Sequence, residues 1–350
     1  MFSTFSHSLG DHSVHELPAK LLAAASAGLE AVEISTIDLD HHALKIEHLS
    51  APDPLLSAAI QIGSLCKELN LVVTCLQPVK DVVEVESGSV ESARQRLTAL
   101  FPVMDALGTD LLLVCSSSLP PSELHCSLVR AAENLRAIGI EAGRHQGRPK
   151  RIAFEALCWG TYISTWSQAW QVVQAADLPN VGICLDSFNT LAREWADPTL
   201  EGGIQPGADV YLAESLAKLS RLPGQKIFLL QLADGRQLTT PLVPDGEQPA
   251  RMRWSRAHRL FPMDSIPGYL PVTAFVAAVC ATGYDGFWSA EVFNTSLADR
   301  HPNVPAQHAT RALEGLKRLE LFISSESRVS PLSLVEHDPL LRTLPRLELA

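Results

Sequence analysis

The 350-residue sequence has no Cys-x-x-Cys pair, no excess of basic residues, and no apolar run near the roughly 18 residues that a membrane span requires. Each absence excludes a class of protein. The seven cysteines (Cys66, Cys75, Cys115, Cys126, Cys158, Cys184 and Cys280) are odd in number and scattered. They read as small buried hydrophobes in a reducing compartment, not as a disulfide framework. A net charge of −11 and a pI near 5.5 repel phosphate backbones, so nucleic acid is not expected as a partner. Residues Met1 to Gly10 lack a basic patch followed by a long apolar stretch, so no secretory signal is expected. Together these features point to a cytoplasmic protein that does not act on membranes. No segment of the sequence repeats.

Hydrophobic residues make up 46% of the chain, enough for a sizeable core. Short β-like runs alternate with longer helical stretches. The runs are 30–35, 71–77, 110–115, 151–157, 181–186, 226–232 and 286–293, with a weaker first run at 3–8. Several are nearly continuous apolar runs, as expected of parallel strands covered on both faces. Helices are predicted over 17–28, 54–69, 90–107, 122–142, 165–176, 272–282 and 306–323, several opening after Ser, Thr, Asp or Pro. This alternation predicts an α/β fold, a (β/α)8 barrel closed by right-handed crossovers. The barrel is expected to span residues 1–325 as one domain. Residues 326–350, which include Pro331, Pro339 and Pro345, are expected to form a tail that packs on the barrel or frays. Long segments after the sixth and seventh strands (197–222 and 233–269) lie at strand C-termini, the face where barrel enzymes place their sites.

Polar residues punctuate the last four apolar strands. Glu155, Asp186, Gln231 and Glu291 stand at or near consecutive strand ends. A carboxylate inside a buried strand is costly unless it is paired or binds a cation. One alone would be an ordinary salt-bridge or capping residue. Four in register predict a metal site made of three carboxylates and one amide oxygen. Such an all-oxygen shell favours one hard divalent ion, Mg²⁺ or Mn²⁺, with Co²⁺ also admissible. The segment Gln248 to Pro262 gathers Arg251, Arg253, Arg256 and Arg259 in an otherwise acidic chain. It reads either as a solvated basic loop or as a clamp for a substrate carboxylate. Trp159 follows the Glu155 strand closely and is a candidate pocket wall, whereas Trp166 and Trp170, four apart, read as helix packing.

Several segments resemble the fungal quinate-pathway 3-dehydroshikimate dehydratases, within the xylose-isomerase-like barrels. These are Phe154-Glu155-Ala156-Leu157-Cys158-Trp159-Gly160, Asn180 to Asn189, Ala196-Asp197-Pro198-Thr199, Gln231-Leu232-Ala233-Asp234, Pro249 to Pro262 and Glu291-Val292-Phe293-Asn294. The resemblance implies divalent-metal-dependent dehydration of 3-dehydroshikimate to protocatechuate. It implies Ser255, Arg259 and Arg256 as substrate-carboxylate residues, with Trp159 and Asn189 also at the substrate. Relatives carry His at the positions of Asn189 and Leu157, and aromatic residues after the Gln77-Pro78 pair. Glu33, Lys80 and His258 are therefore the candidate general bases, and His7 is read as structural. Same-fold alternatives are a sugar or inositol-derivative isomerase, epimerase or dehydratase. An alternative of another class is a non-catalytic barrel that serves in binding or regulation. The expected partner is a small carboxylate, and the fold is compatible with a homo-oligomer.

Overall fold

A computed structural model describes residues 1–46, 53–86 and 89–326. Its strands in chain order are β1 (Phe2–Phe5), β2 (Ala31–Ser35), β3 (Val72–Val79), β4 (Leu111–Cys115), β5 (Arg151–Glu155), β6 (Val181–Asp186), β7 (Ile227–Leu232), β8 (Asp234–Gly235), β9 (Arg259–Leu260) and β10 (Trp288–Ala290). Eight of them close a barrel in the order β1-β10-β7-β6-β5-β4-β3-β2, and every adjacent pair is parallel. The remaining two, β8 and β9, form a small antiparallel ribbon beyond the end of β7. Strands β4 and β6 are buried at every position, because helices cover the outer face and side chains fill the interior. In β6, Gly182 permits close approach: a Cβ there would meet the Lys226 carbonyl oxygen at 2.6 Å.

The predicted barrel is present, with boundaries that differ for local reasons. The helix expected over 90–107 is two, Val90–Thr98 and Phe101–Leu107. Pro102 opens the second helix, where its missing N–H is harmless, but it breaks the first. The helix expected over 122–142 begins at Leu128, where the Ser127 hydroxyl accepts the Arg130 N–H at 3.3 Å. Helices Thr36–Ile46, Ser187–Glu194, Ala208–Leu219 and Ala250–His258 lie outside the predicted helices, the last two within the long segments after the sixth and seventh strands. The first and last barrel strands are shorter than their apolar runs. From residue 327 onward the expected tail lies outside the described residues. Among the described residues, no helix is long and apolar enough to cross a membrane.

A large apolar cluster fills the space between helices and sheet. A smaller one, including Cys75, Leu113, Ala153, Cys184 and Leu229, fills the barrel interior. These five come from β3 to β7, one each. Side chains alternate with period two along a strand, so residues two positions on share the inward direction. Those residues are Gln77, Cys115, Glu155, Asp186 and Gln231, and by strand pairing Ser289 and Glu291 continue the same set. Because the strands are parallel, all of these ends converge on one mouth.

Candidate metal centre and its pocket

Glu155, Asp186 and Glu291 meet at this mouth. They are buried, and one carboxylate oxygen of each lies within 4.8 Å of the others. Asn189 fixes the first: its Nδ2 donates to Glu155 Oε1 at 2.7 Å, and its Oδ1 accepts the Cys158 N–H at 3.0 Å. Asp186 caps the helix Ser187–Glu194 by accepting the Asn189 N–H at 2.5 Å. Gln77 Nε2 donates at 3.0 Å to both Glu33 Oε2 and Glu291 Oε1. Gln231 Nε2 donates to the same two oxygens at 2.8 and 3.1 Å. Two thiols complete the floor: Cys115 donates to Glu155 Oε2 and Cys184 to Gln231 Oε1, each at 3.3 Å.

Among the described residues, one buried cation bonds this group. Arg259 is 1% exposed, and its Nη1 donates to Asp186 Oδ2 at 2.7 Å and to Glu291 Oε2 at 2.8 Å. Its Nε donates to Ser255 Oγ at 3.0 Å, the four-residue spacing placing Ser255, on the last turn of helix Ala250–His258, beside it. Its guanidinium lies 4.5 Å from the Phe188 ring centroid and 5.2 Å from that of Phe293. Four buried carboxyls, counting Glu33, thus face one guanidinium. Burial pushes Glu33 up to about 7. Burial, then the Asp186 charge, pushes Glu155 up to about 8, and burial raises Glu291 as well.

These residues fit a divalent cation. The anionic surplus is buried, and Glu33 Oε1 has no hydrogen-bond partner. Three convergent carboxylates offer the hard oxygen ligands that Mg²⁺ or Mn²⁺ takes. The fourth expected ligand, Gln231, lies in the same cluster. Its amide nitrogen donates to Glu33 and Glu291, and its oxygen accepts from the Cys184 thiol. Two adjacent carboxylates attract the donor end of an amide, which decides this orientation.

Above the carboxylates lies a cavity of about 70 Å³, lined by Gln77, Lys80, Cys115, Glu155, Leu157, Trp159, Asn189, Ser255, Arg256, Arg259, Glu291 and Phe293 among others. Of the three base candidates, Lys80 lines it. Glu33 lies behind Gln77, on which it accepts a hydrogen bond. His258 is not among the lining residues. Its backbone bridges Asn294 and accepts the Arg236 N–H, and burial lowers its imidazole pKa. Asn189 lines the cavity, as expected of a residue at the substrate, and both ends of its amide are also bonded to protein, to Glu155 and Cys158. Arg259, expected at the substrate carboxylate with Ser255, has Nη1 and Nε bound to protein groups, Ser255 among them, while Nη2 has no partner among the described residues. Arg251 is absorbed structurally, bonding Asp197 Oδ2 at 2.8 Å and the Ala192 carbonyl at 2.7 Å.

Sequence reasoning passed over Gln77, Cys115 and Cys184. Their signal was the inward phase of β3, β4 and β6. It also passed over Glu84, a buried carboxyl after β3 that accepts the N–H groups of Ser117 (2.6 Å) and Ile163 (3.3 Å). Glu84 thereby ties together the loops that follow β3, β4 and β5, and burial pushes its pKa up to about 7.

The chain is similar to several known proteins. A family model described as xylose isomerase-like TIM barrel matches residues 21–319. A 3-dehydroshikimate dehydratase of Neurospora crassa is 34% identical, over 95% of this chain and 94% of that protein. A 3-dehydroshikimate dehydratase of Pseudomonas putida is 31% identical over 89% of this chain, but the match spans only 40% of that longer protein. Among solved structures, a xylose isomerase-like TIM barrel/4-hydroxyphenylpyruvate dioxygenase fusion protein superposes with a TM-score of 0.71 at 30% identity, covering 93% of this chain and 44% of the other.

Proposed function

The chain belongs to the xylose isomerase-like TIM barrel family and groups within it with the 3-dehydroshikimate dehydratases; from that premise we propose that it removes water from 3-dehydroshikimate to give protocatechuate, as a metal-dependent lyase. The observation that carries this reading is the convergence of Glu155, Asp186 and Glu291 beneath a pocket that also presents Lys80, Arg256 and Arg259. A divalent ion there, Mg²⁺ or Mn²⁺ in this proposal, supplies Lewis-acid stabilisation to an oxygen beside the ring carbon that loses its proton.

The protein's own groups do the rest. The free Nη2 of Arg259 and the exposed Arg256 guanidinium hold the substrate carboxylate, which orients the ring. Trp159, Leu157 and Phe293 exclude water from the ring faces. Lys80 has no ion-pair partner among the described residues and is the base candidate on the pocket wall, so we assign it the proton transfer. Glu33 holds the Gln77 and Gln231 amides in place. Elimination of the hydroxyl β to the ketone then ends in an aromatic ring. A neutral sugar has no use for the cationic wall, which disfavours the isomerase alternative. The seven free cysteines are consistent with a cytoplasmic location, which is part of this proposal, as is a small carboxylate as partner.

Purified protein supplied with Mn²⁺ or Mg²⁺ is expected to generate protocatechuate from 3-dehydroshikimate, read as new aromatic absorbance, and a chelator should abolish the signal. Absence of product from folded, metal-supplied protein would reject the assignment. Turnover of a neutral ketose instead would favour an isomerase, and inertness toward both a binding protein.

A further inference from the structure

A second group of ligand-type side chains stands just beyond β1, and the proposed reaction does not use it. After the short helical turn Ser6–Leu9 the chain reverses at Gly10, whose φ of 152° and contact with the His15 ring leave no room for a side chain. The reversal brings His7, Asp11 and His12 together. One ligand atom of each lies within 4.8 Å of the other two. The Nδ1 atoms of both imidazoles are buried and lack a hydrogen-bond partner. Asp11 Oδ1 sits 3.7 Å from His12 Nδ1 and accepts both Ser13 donors, leaving Oδ2 free among the described residues.

Buried, unpaired ring nitrogens beside a carboxylate are costly unless something occupies them. The surroundings suit a cation. The Lys20 ammonium near His7 is already matched by Asp38 at 2.7 Å, so its charge does not stand free against a metal ion. The segment is also fixed: the Asp11 N–H donates to the Leu297 carbonyl at 2.9 Å, and the His15 ring bonds the Asp299 carbonyl at 2.8 Å.

We propose that His7, Asp11 and His12 form a second metal site, separate from the carboxylate centre and selective for a zinc-type ion. Two imidazoles and one carboxylate suit such an ion, whereas the all-carboxylate centre suits harder ones. Three protein ligands leave one position of a tetrahedron for water. The His7 ring lies 5.4 Å from the Phe293 ring, which lines the substrate pocket, so an ion here fastens the β1 turn behind that wall.

The test titrates Zn²⁺ into chelator-stripped, full-length protein, reading zinc per chain by elemental analysis and affinity by a competing chromophoric chelator. A Glu155→Gln/Asp186→Asn background disables the carboxylate centre, which keeps the result independent of the functional assignment. One zinc per chain is expected to remain in that background. Asp11→Asn or the half-exposed His12→Ala should then weaken it at least about tenfold, with fold checked by circular dichroism. Should the background variant fail to fold, the same substitutions in the unaltered chain should reduce the stoichiometry from two to one. Zinc binding that is absent from the folded background, or that neither substitution moves, overturns the proposal.

Discussion

The two mouths of the barrel differ in a way that reverses the first impression their cavities give. At the N-terminal mouth lies a cavity of about 370 Å³, lined in part by Asp110, Arg148, Arg151, Phe228 and Tyr284. At the C-terminal mouth the cavity is about 70 Å³. Yet the larger space is electrostatically quiet. Asp110 pairs with Arg151 at 2.9 Å and with Arg148 at 3.0 Å, and the Arg151 guanidinium also covers the Phe228 ring. These guanidinium side chains are 42% and 61% exposed, so water screens them. The smaller space buries four carboxyls against one guanidinium. Uncompensated buried charge, not the size of the void, marks the chemistry, because only buried charge requires a counter-ion.

The largest effect should come from Glu155→Ala. If the C-terminal centre holds the metal, kcat/KM should fall by at least about 10³-fold, on the order of 4 kcal/mol. A fall of less than tenfold would put the two mouths on equal footing. Arg259→Ala should lower kcat/KM by about 10²-fold and destabilise the fold by about 3–5 kcal/mol, since it strands carboxylates beside one another. Added divalent cation should restore part of the lost Tm. Reduced stability with unchanged kcat/KM would confine Arg259 to charge balance.

Glu84 provides a third, smaller contrast on the same face. Its folded pKa of about 7 lies above that of an unfolded glutamate, so the folded chain keeps a proton that the unfolded chain has lost. Its contribution to stability is therefore greatest below about pH 4.5 and declines as pH rises toward 7, by up to about 3 kcal/mol. Glu84→Gln should flatten the Tm profile between pH 5 and 8; an unchanged slope would mean that Glu84 is ionised in the fold. The smallest effect belongs to Arg151→Ala at the quiet mouth. It should cost less than about 1 kcal/mol and leave kcat/KM within twofold, and a tenfold loss of activity would locate function there instead.

The barrel was legible because parallel strands buried on both faces advertise themselves as apolar runs, and β6 was bounded correctly at both ends. Glu155, Asp186 and Glu291 were legible as charges interrupting those runs. Three things were not. The amide orientation of Gln231 depends on Glu33 and Glu291, which are 198 and 60 positions away in sequence. The bonds from Arg259 to Asp186 depend on β9 folding back against β8, a two-residue ribbon with no periodic signal. The helix Ala250–His258 is rich in arginine, so its face was hidden by charge, although Trp254 and Ser255 are fully packed within it.

Closure of the sheet has a consequence for how the protein is made. The first strand pairs with the last: Phe2, Ser3 and Thr4 lie against Trp288, Ser289 and Ala290. A chain emerging from the ribosome carries Glu33, Gln77, Glu155, Asp186 and Gln231 before the strand that completes the ring, and Glu291 arrives one residue after that strand ends. Until those residues are synthesised, neither the wall that excludes water nor the third carboxylate exists. The carboxylate centre proposed to hold a cation is therefore a property acquired only late in synthesis, and a chain interrupted before Glu291 lacks it.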